Sequence, residues 1–361
     1  MVGVNNMGNK TLNITFAELK EGMKIAKDVS HNGRVLLKKG TIVNKDFVQR
    51  VQKLLLVGNL EIYAPDDSPK QLTQEEKKLE EFNKIEDDFK EISTKLQKTF
   101  INIKNEDGKY IKELREFSQK LQEELKPTSL IIKNIILHGS GTDSIYRHGV
   151  NVAALSALIG KWIGYDEKQL NLLVYSAMLH DFGKTKISRK ILEKKEPLTK
   201  AESDLIKTHP TEGYKIIKEI PFLDKSVSYG VLMHHEREDG SGYPLGLKGN
   251  AIHEFGKIIA IADVFDAINS NRGYKNKKAP FEALQIVKNE SLGKLNYEYV
   301  KIFLEHIVNY YLGEEVILNT GEKCKILQMN INDLEKPLIF KDGEFIDLDK
   351  QKELYIKEIV L

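Results

Sequence analysis

The sequence predicts a mainly α-helical protein, in which an all-helical central domain lies between a small α/β module and a small β module. Three observations lead to this prediction. Apolar residues recur every three or four positions through the middle of the chain, which is typical of amphipathic helices. Short segments with strand character beside Asn-Gly, Thr-Gly and Asp-Gly pairs occur near the two ends, as expected for strands joined by tight turns. The length of 361 residues exceeds what one hydrophobic core usually fills, so several domains are expected.

Residues 1–68 are predicted to form the α/β module. Its predicted elements are a strand over 23–29, a turn at Asn32-Gly33, a strand over 34–40, a helix from a cap at Asn44 to Leu55, and a strand over 60–65. Between residues 14 and 65 the sequence has no paired carboxylates, no histidine cluster and no phosphate-binding loop. We therefore interpret this module as a docking or sensory module and not as a second active site.

Residues 69–127 are predicted to form a charged helical linker. An apolar stripe with helical spacing runs through it and comprises Leu79, Phe82, Ile85, Phe89, Ile92, Leu96, Phe100 and Ile103. The polar run from Asn105 to Gly108 is predicted to separate this long helix from a second one, which ends before Pro127. The stripe could pack on the central domain or on a second subunit. We expect the helices within 71–125 to connect domains and to support a homodimer.

Residues 128–312 are predicted to form the central domain, a series of helices joined by short loops. Examples are the helical patterns over 150–162, 169–179 and 202–209. Residues 313–361 change character, because several short strand-like segments surround turns at Thr320-Gly321 and Asp342-Gly343. This last region is predicted to be a small β module.

The composition is that of an ordinary globular protein, with 41% hydrophobic and 30% charged residues. The net charge of +2 indicates no strongly basic surface, so DNA is not an expected partner. Cys324 is the only cysteine, which excludes an intrachain disulfide and favours a reducing cytoplasm. The sequence has neither an apolar segment of membrane-spanning length nor the pattern of a secretory signal peptide, so we expect a cytoplasmic protein without a membrane partner.

Five of the nine histidines have carboxylates beside them or nearby and lie between His148 and His235. One histidine in a helical protein is more often a surface or core residue than a ligand. Several imidazoles and carboxylates in one helical core would be costly to bury, unless divalent metal ions satisfied their lone pairs. Nitrogen and oxygen ligands suit iron, manganese or zinc, and the absence of thiolates argues against a structural zinc site. Asp181 is the natural bridge between two ions about 3.5–4 Å apart, an arrangement common in phosphate-ester hydrolysis.

The order of these residues resembles the HD phosphohydrolase superfamily. The motif from His234 to Pro244, HHEREDGSGYP, resembles the signature of its HD-GYP subgroup. The similarity covers about 129–312, half of the chain, and includes Gly183-Lys184 and the segment 271–274. The resemblance implies an HD-type catalytic domain that hydrolyses the bacterial second messenger cyclic di-GMP.

The resemblance also implies roles for individual residues. The metal ligands it implies are His148, His180, Asp181, His209, His234, His235 and Asp263. His180, Asp181 and Lys184 would be catalytic, and Lys184, Arg272 and Lys275 would face the substrate, where cations can hold phosphate oxygens and offset transition-state charge. Tyr243 is a candidate for contact with the substrate or with a protein partner at the GYP loop. Asp266 is expected to orient a metal ligand or an arginine.

The expected reaction is an in-line attack of a metal-bridging hydroxide on phosphorus, which opens cyclic di-GMP to linear pGpG and onward to GMP. Two alternatives stay open at this point. The first is an HD hydrolase of another cyclic dinucleotide or nucleotide, because nothing in the sequence identifies the base. The second is a receptor or scaffold that binds the ligand without hydrolysing it.

The expected number of ions depends on the residue one helical turn before His148. Some HD-GYP proteins carry a glutamate there, and its carboxylate can reach a third ion. This sequence has Ser144, whose neutral hydroxyl is a poor ligand for a transition metal. We therefore expect two divalent ions, iron or manganese. Asp143 could take the place of the glutamate if the helix began only after it.

Overall fold

The computed structural model describes residues 11–31, 34–45, 47–48, 59–63, 74–103, 109–124, 128–140, 145–221, 223–270 and 280–360. The chain forms two compact units, Met1–Thr73 and Gln74–Leu361, which are described separately. Helices dominate the second unit and short strands occur towards both ends of the chain, so the predicted mainly α fold class is confirmed. Among the helices in the described ranges, none is both long enough and apolar enough to cross a bilayer.

The described part of the first unit contains two pairs of antiparallel strands. The strands are β1 (Thr11–Thr15), β2 (Val29–His31), β3 (Arg34–Leu37) and β4 (Asn59–Tyr63). Strand β1 pairs with β4, and β2 pairs with β3. A small core fills the unit and comprises Leu19, Ile25, Val29, Val43, Leu60 and Ile62.

Two features of this unit differ from the prediction. The first predicted strand, 23–29, is wrong, because Lys24 and Ile25 form isolated bridges to two different segments and no continuous ladder develops. Strand β1 was missed because four of its five residues are exposed, so its sequence carries no alternating apolar pattern. The third predicted strand, 60–65, corresponds to β4.

Asn44 has the capping role that the sequence predicts. Its Oδ1 accepts a hydrogen bond from the backbone N–H of Phe47 at 2.9 Å. The remainder of the predicted helix to Leu55 lies largely outside the described residues, as does the Asn32-Gly33 turn. Strands β2 and β3, which end and begin on either side of these two residues, pair antiparallel.

Two long helices begin the second unit, α1 (Gln74–Asn102) and α2 (Lys109–Glu124). The predicted interruption at 105–108 lies outside the described residues. The apolar stripe runs along α1 from Leu79 and ends at Ile103, the residue after the helix. Leu79 is 50% exposed, and the other members are buried: Phe82, Ile85, Phe89, Ile92, Leu96, Phe100 and Ile103. From Ile85 onward these residues join the core of the central helices. The stripe therefore packs within its own chain, and the predicted homodimer would need another surface.

Ten further helices follow among the described residues. They are α3 (Thr128–His138), α4 (Ile145–Trp162), α5 (Glu167–Leu179), α6 (Arg189–Leu192), α7 (Lys200–Ile206), α8 (His209–Ile217), α9 (Lys225–Met233), α10 (Glu254–Asn269), α11 (Pro280–Glu290) and α12 (Tyr297–Asn309). Helix α4 lies at the centre and packs on α1, α5 and α10. It is buried from Arg147 to Gly160, which explains why apolar residues cover nearly its whole circumference.

The predicted helix over 202–209 is wrong at its end. Helix α7 stops at Ile206, and His209 begins α8. Pro210 explains the break, because in a continuous helix its ring would clash with the carbonyl of Ile206. Proline is instead well suited to the first turn of the next helix.

The C-terminal β module is confirmed as one antiparallel sheet in the order β8-β7-β6-β5-β9. Its strands are β5 (Glu315–Leu318), β6 (Lys323–Asn330), β7 (Asp333–Lys341), β8 (Glu344–Asp347) and β9 (Ile356–Ile359). The turn between β7 and β8 has positive φ at Asp342 and Gly343, as an Asp-Gly hairpin turn requires. One hydrophobic core extends from the helices into this sheet. The domain boundaries expected at 69, 128 and 313 stay predictions.

Candidate metal centre

The fold brings all seven predicted ligands together. They lie at helix ends or on buried helix faces: His148 in α4, His180 and Asp181 after α5, His209 at the start of α8, His234 and His235 after α9, and Asp263 in α10. They form two clusters, within each of which the potential ligand atoms lie within 4.8 Å of one another. The first cluster comprises Asp181, His209, His234 and His235, and the second comprises His148, His180 and Asp263.

Three of the imidazole rings are oriented by backbone carbonyls. In each case Nδ1 contacts the carbonyl oxygen three residues earlier, at 2.7 Å for His180 and Ala177, 2.8 Å for His209 and Ile206, and 2.7 Å for His234 and Val231. A carbonyl oxygen can only accept a hydrogen bond, so Nδ1 must carry the proton and act as the hydrogen-bond donor. The lone pair of each neutral ring is therefore on Nε2, the atom that faces the clusters.

His148 is oriented by a side chain instead. Its Nδ1 lies 2.7 Å from Asp266 Oδ2, and its Nε2 lies 3.0 Å from Asp263 Oδ1. Asp266 is fully buried and lies where a residue that orients a ligand would be expected. The carboxylate accepts a hydrogen bond from the Nδ1–H group, and the Nε2 lone pair is then directed into the second cluster.

Asp181 lies between the two clusters. Its Oδ1 is 3.2 Å from His209 Nε2, on the side of the first cluster. Its Oδ2 is 3.7 Å from His148 Nε2 and 3.6 Å from His180 Nε2, on the side of the second cluster. Lys184 Nζ donates to the same Oδ2 at 2.6 Å. The carboxylate thus offers one oxygen to each cluster, which is the geometry expected of a bridge.

The protonation states of the clusters suit metal binding. Burial lowers the pKa of His180 to about 4, and it lowers the pKa of His234 and His235 well below the usual value. Burial alone would raise the pKa of Asp181, but its polar surroundings, first among them the positive charge of Lys184, outweigh burial and hold that pKa well below the usual value. Neutral imidazoles and ionised carboxylates are the forms that coordinate metal ions.

Two further contacts test whether the residues fit divalent ions. The Nε2 atoms of His209 and His234 lie 3.2 Å apart, although both rings carry their proton on Nδ1. Two lone pairs at this distance repel unless a cation lies between them. His180 Nε2 is buried and makes no hydrogen bond with any described residue. These converging lone pairs, together with the carboxylates, form a donor set that suits divalent transition metals.

A glycine in a tight turn lets two members of the first cluster, Asp181 and His209, lie close together. Asp181 is followed by a 3₁₀ turn, Phe182–Lys186, that packs against the start of α8. A Cβ atom on Gly183 would lie 1.9 Å from the carbonyl oxygen of His209, so no other residue fits there without a shift of the backbone. Gly183 therefore allows Asp181 and His209 to approach each other.

Tyr243 of the GYP loop lies beside the first cluster. Its ring stacks on the ring of His235, with centroids 4.6 Å apart and an interplanar angle of 27°. Lys207 Nζ lies 5.8 Å from the centre of the Tyr243 ring. Burial, assisted by the carboxylates of Asp263 and Asp181, raises the pKa of Tyr243, so the phenol keeps its proton at neutral pH. Lys207 is a cation beside the site that the sequence reasoning missed.

Glu236 holds the GYP loop in place. Its buried carboxylate accepts hydrogen bonds from the backbone N–H groups of Leu245 at 2.7 Å and Leu247 at 2.9 Å. A Cβ atom on Gly242 would lie 2.5 Å from the carbonyl oxygen of His235, so the loop lies directly on the histidine pair. The sequence reasoning also missed this role of Glu236, although the residue follows the two histidines directly.

The other predicted site residues divide into two groups. Lys184 and Tyr243 lie beside the clusters, and their roles stay predictions. Arg272 and Lys275 lie outside the described residues, and so do Asp143 and Ser144, on which the expected number of ions depends.

Comparisons with known proteins show which proteins this chain resembles. A family model described as "HD domain" matches residues 110–296, slightly more than half of the chain. The chain is 41% identical over 163 residues to "Cyclic di-GMP phosphodiesterase" of Thermotoga maritima, covering 44% of this chain and 44% of that protein. It is 32% identical over 197 residues to "3'3'-cGAMP-specific phosphodiesterase 1" of Vibrio cholerae, covering 54% of this chain and 45% of that protein. The chain spans about half the length of the curated relatives it matches.

A solved structure shares the fold. It is the HDG"Y"P protein from Bdellovibrio bacteriovorus, with a TM-score of 0.50 and 17% identity, and the match covers 83% of this chain and 100% of that one. At this level of identity the likeness concerns the fold alone.

Proposed function

The chain belongs to the HD domain family, and on this premise we propose that it is a metal-dependent phosphodiesterase that hydrolyses cyclic di-GMP. The observation that carries the proposal is the pair of clusters joined by Asp181, whose two oxygens face different sets of imidazoles. A mixed nitrogen and carboxylate site of this kind is suited to iron or manganese. We propose two ions, one for each cluster, with Asp181 between them.

Different residues have different roles in the proposed reaction. When bound, two divalent ions would supply a nucleophile at neutral pH and offset the charge of the phosphate. The seven clustered residues hold these ions, and the backbone carbonyls and Asp266 keep the rings in position. Lys184, whose ammonium group lies 2.6 Å from the bridging carboxylate, is placed to hold a phosphate oxygen near the reacting centre.

The GYP loop supplies a second contact for the substrate. Tyr243 offers an aromatic ring and a protonated phenol beside the first cluster, and Lys207 adds a positive charge over the same ring. A cyclic dinucleotide presents both bases that stack and phosphates that bind cations. We propose that the loop contacts a part of the substrate that does not react. Arg272 and Lys275 stay proposed substrate contacts on the strength of the family resemblance.

The names of the relatives support cyclic di-GMP as the substrate and leave a second candidate. Several are named cyclic di-GMP phosphodiesterases, and the match to the Thermotoga maritima protein has 41% identity. Others are named 3'3'-cGAMP-specific phosphodiesterases, and one of these matches over a longer stretch at 32% identity. The second candidate function is therefore hydrolysis of 3'3'-cGAMP by the same site.

Product analysis tests the proposal. Protein prepared without oxygen and loaded with iron or manganese is incubated with cyclic di-GMP or 3'3'-cGAMP, and the products are separated. We expect linear pGpG, and with time GMP, from cyclic di-GMP. His306→Ala is the control for loss of a single imidazole outside the clusters, and it should retain activity. Tight binding of cyclic di-GMP without any product would instead favour a receptor.

Other predicted contacts are also proposals. A homodimer within 71–125 would use the exposed side of the helices, because the apolar stripe is largely buried in the same chain. The GYP loop stays a proposed contact for a protein partner. The single cysteine supports a reducing cytoplasm as the location.

A further inference from the structure

A chain of polar side chains connects helix α1 to the metal centre. In order, it comprises Glu86 in α1, Arg147 and Asn151 in α4, Asp266 in α10 and His148 in α4. The last four residues are buried, and the Glu86 side chain is only 13% exposed. Charged groups are retained in such surroundings only where each one has close partners.

The outer half of the chain fixes the guanidinium of Arg147. Its Nη2 donates to Glu86 Oε2 and to Asn134 Oδ1, both at 2.8 Å. Asn134 Nδ2 donates in turn to Glu86 Oε2 at 3.0 Å, and the guanidinium carbon lies 5.1 Å from the centre of the Phe89 ring. Helices α1 and α3 therefore hold Arg147 from two sides.

The inner half transmits this position to His148. Arg147 Nε donates to Asn151 Oδ1 at 3.0 Å, so the amide oxygen of Asn151 is turned towards the arginine. Its Nδ2 must then face the opposite way, where it donates to Asp266 Oδ1 at 2.8 Å. The other oxygen of Asp266, Oδ2, accepts a hydrogen bond from His148 Nδ1 at 2.7 Å. Each bond thus determines the direction of the next.

Asn151 is the contact that holds one oxygen of Asp266. The Ser140 hydroxyl bonds to Oδ2, the same oxygen that contacts His148. Oδ1 is held by Asn151, and the amide of Asn151 is kept in its orientation by Arg147. Without the arginine the amide could rotate and present its oxygen to the carboxylate, which would repel it.

We propose that Glu86 and Arg147 are positioning residues of the metal centre, which act through Asn151 and Asp266 on the ring of His148. Glu86 is not a member of either cluster, and the hydrogen bonds of Arg147 described above go to Glu86, Asn134 and Asn151. Their effect is to keep His148 Nε2 directed at the second cluster, 3.0 Å from Asp263 Oδ1. The proposal rests on the proposed function in so far as His148 is a metal ligand.

Glu86 lies outside the part of the chain that matches the HD domain family. It precedes residue 110, where the family match begins, and it lies on the helix that begins the second unit. A displacement of α1 would move Glu86 and, through the chain of hydrogen bonds, change the orientation of a metal ligand. The metal centre is therefore mechanically linked to a helix outside the matched region.

A double-mutant cycle tests the proposal. The dissociation constant of Mn²⁺ is measured by titrating metal-free full-length protein and following free Mn²⁺ by electron paramagnetic resonance. The variants are Glu86→Gln, Asp266→Asn and the double variant, with Glu91→Gln as the matched control. Glu91 lies on the same helix and pairs with Lys120, so its change also removes one negative charge from an ion pair but leaves the chain intact.

We expect Asp266→Asn to weaken Mn²⁺ binding about 10–100-fold, as loss of a residue that orients a ligand usually does. Glu86→Gln should weaken it roughly 3–10-fold, and the double variant should match Asp266→Asn alone, because residues in one network are not additive. Glu91→Gln should bind like the wild type. Multiplicative effects in the double variant, or a Glu86→Gln protein that melts earlier but binds Mn²⁺ normally, would overturn the proposal.

Two arrangements keep this test separate from the proposed function. If Glu86→Gln does not fold, Asn151→Leu interrupts the same chain at its middle and is expected to weaken Mn²⁺ binding and to be non-additive with Asp266→Asn in the same way. If the binding pattern holds but no cyclic dinucleotide is hydrolysed, the positioning role stands and the proposed reaction is wrong. A wild-type protein that binds no Mn²⁺ would overturn both.

Discussion

The histidines of the two clusters are held in different ways. His180, His209 and His234 take their orientation from backbone carbonyls three residues earlier, whereas His148 depends on the side chain of Asp266. A carbonyl is present whatever residue provides it, so an anchor of this kind tolerates substitution. An anchor made of side chains is lost when one of them changes. His148 should therefore be more sensitive than the three carbonyl-anchored histidines to mutations that touch no ligand.

The largest effect is expected where the two clusters meet. Asp181→Ala removes the carboxylate that faces both, so we expect the loss of bound metal from both clusters and a fall in hydrolysis of at least on the order of 100-fold. Metal content after loading and dialysis, together with product formation, measures this. Asp204→Ala, an exposed aspartate on α7, is the control and should behave like the wild type. Full retention of both ions in Asp181→Ala would refute the bridging role.

The next prediction tests the comparison directly. Asp266→Asn removes the side-chain anchor of His148 and should weaken Mn²⁺ binding about 10–100-fold. Ile206→Val changes the residue whose carbonyl anchors His209 but keeps that carbonyl, so Mn²⁺ binding should stay within about 2-fold of the wild type. Titration of both proteins with Mn²⁺ gives the two constants. Equal losses would show that the kind of anchor does not matter.

The difference in anchors also explains what could be predicted from the sequence. The candidate ligands could be predicted because imidazoles and carboxylates are conspicuous residue types that recur along one segment, and because their order resembles a known family. Each carbonyl anchor joins a histidine to the residue three positions earlier, so it is local in the sequence. The bonds from Glu86 to Arg147 and from Asn151 to Asp266 join residues distant in the sequence, and Glu86 looks like any other charge on a charged helix.

The fold shows the same division. Apolar periodicity predicted the long helices, because their buried faces are continuous. Strand β1 is mostly exposed and left no such pattern. The break before His209 could have been predicted from Pro210, whose ring is incompatible with a helix that continues from Ile206. Sequence patterns were therefore sufficient to predict elements whose structure depends on neighbouring residues. They were insufficient for elements whose structure depends on partners distant in the sequence.

A third prediction separates residues that hold the ions from those that serve the substrate. Lys184 donates a hydrogen bond to the Asp181 carboxylate, but it is not one of the seven candidate metal ligands. Lys184→Ala should keep its metal content and lose hydrolysis by about 100-fold, as is typical when a group that stabilises transition-state charge is removed. Lys190→Ala, an exposed lysine close by in the sequence, should leave hydrolysis unchanged. Loss of metal in Lys184→Ala would show instead that Lys184 helps to hold the ions.

A fourth prediction concerns the pH dependence of stability at the outer end of the side-chain anchor. Burial alone would raise the pKa of Glu86, but its bonds to Arg147 and Asn134 outweigh burial and lower it below the usual 4.5. A carboxyl group with a lowered pKa in the folded state stabilises the fold above pH 4.5, and that stability is lost as the pH falls through the folded pKa. Glu86→Gln should therefore lower the free energy of unfolding by about 1–3 kcal/mol at pH 7.

The same difference should shrink as the pH falls below 4.5. Denaturant unfolding of wild type and Glu86→Gln at pH 7 and at several values below 4.5 measures it. The variant keeps the shape of the side chain, so a difference that did not change with pH would mean that the charge of Glu86 contributes nothing.

The smallest effect is expected at His235, which is held in a third way. Its ring stacks on Tyr243, and an aromatic pair of this kind contributes about 0.5–1.5 kcal/mol. Tyr243→Phe keeps the ring and should leave Mn²⁺ binding unchanged, whereas Tyr243→Ala removes the stack and should weaken binding roughly 2–10-fold. If Tyr243→Phe instead raised KM for cyclic di-GMP while Mn²⁺ binding stayed constant, the phenol would be a substrate contact. Identical metal binding in all three proteins would show that the GYP loop does not orient His235.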